Sequence, residues 1–531
     1  MKKIYGFSLL CFVAWFSCLL TAQVAVPIYQ YDNSHSGTNT NEVTLTPSNV
    51  NVSQFGRVGI FTVQGYVYAQ PLYLPNLTIG GTSHNVLFVA TEHDQLYAFD
   101  VNSGQQLWHT NFLAGSSPRL VISTVSSSDV SCGDLVPEIG ITGTPVIDTT
   151  TNTLYVVAET KQYNPVNNAK SFVHTLHAVD ITTGLDKASP HNIVAVARGI
   201  GSGSIGGVIA FNGLLANQRP SLLLANGQVI VSWSSHCDIG TYHGWVMSFN
   251  ETTLAPSGVL IDTPNGYEGG FWGGGAGPTV DEAGSIYSAT GNGYFDVNNG
   301  GIDYGDSVLR MTWSGSGLAI ADYFTPWDQK TLDDNDADVN SGGVLLLPDQ
   351  SGPYPHLLVQ VGKEGTIDLI NRDNMGHFHP GNDSQIVQTL QYAIGGVWGA
   401  PAFWNNNGYF GGSYDHLKVF PFNPQKGLFA TSPTSESPEE FGFPGPTPVV
   451  SSNGTSNGVV WIIETDNYGG GGNAILHAYN AGNLSSELYN SQQNSGRDQA
   501  GAAVKFAVPT VADGHVFVGT VGQVDMYGLL N

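Results

Sequence analysis

An all-β fold, a single eight-bladed β-propeller closed by an N-terminal strand, is predicted by three features of this sequence. A short strand with a polar end recurs along the chain, proline sits at the start of many strands, and the composition is rich in turns and poor in charge. Of 531 residues, 67 are glycine and only 11% are charged, while 41% are hydrophobic and can fill a core.

The recurring strand is first seen at Leu96-Tyr-Ala-Phe-Asp100. It returns at Leu176–Asp180, Val246–Asn250, Val308–Thr312, Ile367–Asn371, Leu417–Pro421, Leu476–Asn480 and Val524–Gly528. Copies fall roughly 50 to 80 residues apart, the range of propeller blades with loop insertions. Each follows a strand of β-branched and aromatic residues, such as Val86–Ala90, Leu154–Ala158 or Val516–Gly519. Before several of these sits a proline: Pro71, Pro145, Pro278, Pro401, Pro448 or Pro509. Proline has no N–H to give a central ladder, so it belongs at a strand start. Repeated units of three or four short strands describe a propeller. The last unit is one strand short, and Val58–Val63 is the candidate to complete it and remove an open edge. No linker-like stretch interrupts the chain, so residues 24–531 read as one domain.

The formal net charge of −25 excludes nucleic acid and disfavours anionic lipid as partners. Lys2 and Lys3 precede an apolar run from Phe7 to Leu20, with small residues near Ala22, so residues 1–23 read as a signal peptide and the protein as secreted or periplasmic. The run is short for a membrane span, and no comparable stretch follows. A monomer is expected. Removing the signal leaves Cys132 and Cys237, which in an oxidising compartment suggest one disulfide, with two buried free thiols as the alternative.

Several longer stretches carry a resemblance. Leu96-Tyr-Ala-Phe-Asp-Val-Asn-Ser-Gly-Gln-Gln-Leu-Trp108 resembles the tryptophan-docking repeat of quinoprotein alcohol dehydrogenases, with Asp100 and Gly104 forming a tight turn and Trp108 wedged between blades. Tyr31-Asp32, Gly37 and Leu45–Val50 resemble that family's N-terminal signature. Gly269-Gly-Phe-Trp-Gly, Ala289-Thr-Gly-Asn292, Tyr304-Gly-Asp306, Thr325-Pro326 and Lys363–Arg372 follow its central order. The resemblance covers most of the mature chain.

It implies pyrroloquinoline quinone over the propeller axis with a calcium ion beside it, oxidising an alcohol or sugar hydroxyl. Asn292 would be a calcium ligand, and Asp238 stands where the family carries glutamate, one methylene shorter. Trp272 would form the floor under the quinone, and Lys363 would give a charged donor to the quinone oxygens. In the acidic run after Thr325-Pro326, Asp334 and Asp336 fit the family's pair of aspartates that supplies the base. At the family's adjacent cysteine pair this chain has Cys132-Gly133, so that cap cannot form, and a Cys132–Cys237 bond would instead tie the connection after the first blade to the candidate metal strand.

Each of these residues also has a plain structural explanation: a Gly-Asn turn, a filler tryptophan, a solvated lysine, an acidic loop. The rival function is therefore a non-catalytic propeller scaffold that binds protein or glycan in the cell envelope. A zinc site using His377 and His379, or His236 and His243, is a third reading that lacks a clear extra ligand.

Overall fold

The computed structural model describes residues 23–315 and 317–530, so the expected signal segment lies outside the described residues apart from Gln23. The chain is all-β, with 47% strand and 4% helix. Among the described residues no helix is long and apolar enough to cross a membrane.

The strands form successive antiparallel sheets, each built mainly from consecutive strands. In the first, Leu72–Ile79, Thr82–Thr91, Gln95–Asp100 and Gln106–Asn111 pair in sequence order. The same meander returns from Thr279–Val280 to Gly317–Thr325 and from Val449–Asn453 to Asn483–Asn490. The copies at Leu96, Val246, Val308, Ile367 and Leu417 fall on the third strand of their sheets' order, those at Leu176 and Leu476 on strands that each pair antiparallel with the strand before them, and the last copy in the long final strand His515–Leu529. Their polar ends make the following turn: the Asp100 carboxylate accepts the N–H groups of Asn102 and Ser103 at 2.8 and 2.9 Å, and Asn250 accepts those of Thr252 and Thr253 at 3.1 and 3.0 Å. Each of the six prolines immediately precedes a strand.

Those strands converge on one N-terminal segment. Val26 pairs with Tyr73, and the carbonyls of Pro27, Asn33, Ser34, Ser36 and Gly37 accept N–H groups from Ile147, Val280, Leu346, Phe403 and Val450 at 2.8–3.0 Å. Thr38–Asn39 then runs parallel to Val450–Ser451, and the Tyr31 hydroxyl bonds Val511. A sheet edge carries unpaired N–H groups, and this segment satisfies them across most of the ring of first strands. Gly37 must be glycine: its φ is 66°, and a Cβ would lie 2.7 Å from that of Ala402.

Side chains between sheets form the core. Trp108 wedges between the first two sheets, its indole N–H donating to the Ile181 carbonyl at 2.8 Å. The strand Phe55–Tyr66, which contains Val58–Val63, pairs antiparallel with the C-terminal strand His515–Leu529. Phe55 is fully buried with ring centroids 5.4, 5.0 and 6.4 Å from Trp461, Tyr489 and Tyr527. The Cys132–Cys237 disulfide is formed, across 105 residues of sequence.

Because Phe55 couples the two ends of the chain, Phe55→Ala should lower unfolding stability by about 3–5 kcal/mol, the usual cost of removing a buried phenylalanine. Urea unfolding measures this, and a loss below about 1 kcal/mol would mean the N-terminal strand adds no packing of its own.

Candidate functional site

Three of the residues singled out in the sequence, Asp238, Trp272 and Lys363, line one cavity of about 140 Å³, together with Asp338 and Arg219. Lys363 is its electrostatic centre. Its Nζ lies 2.5 Å from an Asp336 oxygen and 2.6 Å from an Asp338 oxygen. Burial pulls the Lys363 pKa down, but Asp338 and Asp336 outweigh that and raise it, so the ammonium stays charged.

Asn292 completes the cluster. Its backbone N–H donates to Asp338 at 2.7 Å and its side-chain Nδ2 to Asp336 at 2.6 Å, while its Oδ1 is buried without a partner. The turn holding it explains the preceding glycine: a Cβ on Gly291 would lie 2.2 Å from Asp338 Oδ1 and 2.8 Å from the Trp272 ring. The nearby Tyr304-Gly-Asp306 motif braces the acidic segment, since Asp306 accepts the Val339 N–H at 3.3 Å.

Asp238 reaches the cavity from a tight turn in which Cys237 and Asp238 have φ of 51° and 53°. Its carboxylate accepts the Tyr242 hydroxyl at 2.5 Å. Burial raises the Asp238 pKa, Asp338 and Asp336 add repulsion, and Tyr242 and Lys363 oppose them. The side chain is not drawn in tightly. Among the described residues, only Glu439, His477 and Glu487 place three His, Cys, Asp or Glu ligand atoms within 4.8 Å of one another. There His477 bonds Glu487 at 2.8 Å, and on its other nitrogen Glu464, outside the group, at 3.0 Å, a clamp remote in sequence from the axial residues.

Of the aspartate pair expected from the sequence, Asp336 joins the cluster and Asp334 does not. The helix Gln329–Asp334 carries Asp334 outward, where it pairs with Lys330 one turn earlier. Asp338 takes the place of Asp334. The backbone at Asp336, φ 53°, turns the chain back so that both Asp336 and Asp338 reach Lys363.

Sequence reasoning missed Arg219. It is buried, with its Nε and Nη2 unpartnered, and its guanidinium carbon lies 3.8 Å from the Phe506 ring centre. Asp134 lies 3.8 Å from it, and burial lowers its pKa. No motif marks it; the only signal is a cationic side chain in a chain with 17 lysines and arginines. The Glu268 carboxyl, raised by burial and then by Asp238, adds a further acid near the cluster. The paired histidines do not assemble into a metal site: His377 bonds Asp322 at 3.0 Å, and His243 is held by Thr263 and the Ser202 carbonyl.

No family model and no curated protein matches this chain. Solved structures do. A quinohemoprotein alcohol dehydrogenase from Comamonas testosteroni superposes with a TM-score of 0.59 at 13% identity, over 95% of this chain and 80% of that one. A europium-containing methanol dehydrogenase gives 0.58 at 10% identity, over 95% and 98%. BamB from Moraxella catarrhalis gives 0.50 at 11% identity, over 89% and 99%. The chain therefore shares the β-propeller fold of proteins with pyrroloquinoline-quinone-type repeats; at these identities the likeness is one of fold.

Lys363 compensates two carboxylates, one of them almost fully buried. Lys363→Met should cost about 3–5 kcal/mol, the usual penalty for stranding a buried charge. Adding Asp338→Asn should recover much of it. Urea unfolding of the two variants decides: no recovery in the double variant would mean that Lys363 acts through packing alone.

Proposed function

We propose that this protein is an exported, eight-bladed propeller, closed by the pairing of Phe55–Tyr66 with the C-terminal strand, that oxidises an alcohol or sugar hydroxyl at its axis using pyrroloquinoline quinone and a calcium ion. The observation that carries this reading is the pair of unsatisfied buried groups flanking one aromatic cavity. Asn292 Oδ1 is an acceptor without a donor, and Arg219 presents donors without an acceptor. A hard cation fits the first, beside the Asp336 and Asp338 carboxylates, and an anionic carboxylate of a planar cofactor fits the second. Trp272 supplies a flat surface in the same cavity.

When bound, the quinone would accept hydride, and the cation would polarise it. Asn292, Asp238 and Asp338 would hold the cation. Lys363 fixes both aspartates and would donate to the cofactor's oxygens. Asp336, whose side chain is 65% exposed, is the base reachable by substrate, anchored at one oxygen by Asn292 and Lys363.

A second reading is favoured by size. The cavity of about 140 Å³ is smaller than most small-molecule sites, roughly 300–1,000 Å³. A three-ring ligand enters only if Phe443, Phe506 or Trp398 swings aside. If they stay, the propeller is a non-catalytic scaffold for protein or glycan in the cell envelope, and the likeness to BamB supports that alternative.

Mixing the purified protein with calcium and pyrroloquinoline quinone, followed by quinone absorbance and a dye-linked screen of alcohols and sugars, separates the two. The dehydrogenase reading expects binding at micromolar quinone. Asn292→Ala and Arg219→Met should each weaken it about 10–100-fold, as expected for a charge-assisted hydrogen bond worth about 1.5–3 kcal/mol. Absence of binding by the wild type selects the scaffold.

A further inference from the structure

A second cleft lies beside the axial cavity. It encloses about 560 Å³ beside the segment Pro326–Val339 and shares Asp338 with the axial site. Its opposite walls come from the strand Leu357–Val361, the residues after it, and the loop around Asp383. The Trp327 backbone N–H donates to the Asp383 carboxylate at 2.8 Å, which ties the two walls together.

The lining has an unusual balance of charge. Asp328, Glu364, Asp368 and Asp383 all face the cleft, and no lysine or arginine lines it. An anionic ligand is therefore excluded by repulsion. Gln360 adds an unmet demand. It is 1% exposed, and its Nε2 donates to the carbonyls of Val339, Gly342 and Val361, yet its Oε1 is buried without a partner. A buried acceptor without a donor costs about 1–3 kcal/mol, so a ligand that donates a hydrogen bond there relieves a real penalty.

Hydroxyls suit the remaining groups better than ammonium does. Burial raises the carboxyls of Asp328, Glu364 and Asp383, and that of Asp368 to about 7, and neighbouring carboxylates add to the rise at Glu364, Asp368 and Asp383. The Asp368 carboxyl, held up to about 7, can donate as well as accept, and a hydroxyl meets both needs where an ammonium meets only one. Asn382, Thr389 and Gln391 contribute further neutral amide and hydroxyl groups to the lining. Trp327 is 42% exposed at the edge, a flat surface on which the C–H face of a sugar ring can lie. The volume accommodates one or two such rings.

We propose that this cleft binds a neutral polyhydroxylated ligand, a mono- or disaccharide, with Trp327 against the ring and Asp328, Glu364, Asp383 and Gln360 accepting hydrogen bonds from its hydroxyls. Binding here needs neither the quinone nor the cation, so it stands or falls separately from the axial reading. In the dehydrogenase reading the shared Asp338 would set a bound sugar beside the oxidising centre. In the scaffold reading the cleft is itself the glycan site.

The test uses the full-length protein in EDTA, without quinone, titrated calorimetrically with maltose, cellobiose and N,N′-diacetylchitobiose, and with spermidine as the cationic probe. At least one disaccharide should bind with a dissociation constant of millimolar or below. Trp327→Ala should weaken that binding at least tenfold at an unchanged melting temperature, with Trp327→Phe restoring much of it. The proposal is overturned if no disaccharide binds, if only spermidine binds, or if Trp327→Ala leaves sugar affinity unchanged.

Discussion

The N-terminal segment from Val26 to Asn39 is the constraint on which the architecture depends. A ring of sheets leaves its first strands with unpaired N–H groups facing the axis, where water cannot serve all of them. One stretch of chain meets one first strand after another, from Tyr73 through Ile147, Val280, Leu346 and Phe403 to Val450. It thus fixes the relative positions of sheets far apart in sequence. Those sheets in turn set where Asn292, Asp338 and Lys363 stand.

Tyr29 connects this segment to the functional end. It packs at 5.3 Å against the buried His35 ring and lines a small void with Tyr68, Arg219 and Phe506. Burial lowers the His35 pKa to about 4, so the imidazole stays neutral among those rings. A chain of net charge −25 has placed two of its few cations, Lys363 and Arg219, at the axis. Lys363 is spent on Asp336 and Asp338, whereas Arg219 keeps open donors. That asymmetry, not the acidic run alone, is what marks the cavity as a ligand site.

Much of this was legible in the residues. The polar-ended strand and the prolines had definite physical jobs, a turn acceptor and a strand start, and the structure puts both in those places. Asn292, Trp272, Lys363 and Asp238 were named from short motifs, and the missing Cβ at Gly291 lets Asp338 and the Trp272 ring pack against the Asn292 turn. The acidic run was harder. Five aspartates in eleven residues have no periodicity to choose among them, and the choice is made by a short helix that ends at Asp334 and a left-handed turn at Asp336. Arg219 and the sugar-sized cleft carry no motif, since their character comes from neighbours distant in sequence. The disulfide was open between a bond and two thiols until geometry brought Cys132 to Cys237.

The central claim is that the unpartnered Asn292 oxygen and the flanking aspartates form a cation site beside Trp272. Terbium luminescence sensitised by tryptophan reads this directly in the protein without quinone. The account predicts saturable emission that calcium displaces and that Asn292→Ala abolishes while Trp272 is retained. Emission of equal strength and affinity in Asn292→Ala would contradict it.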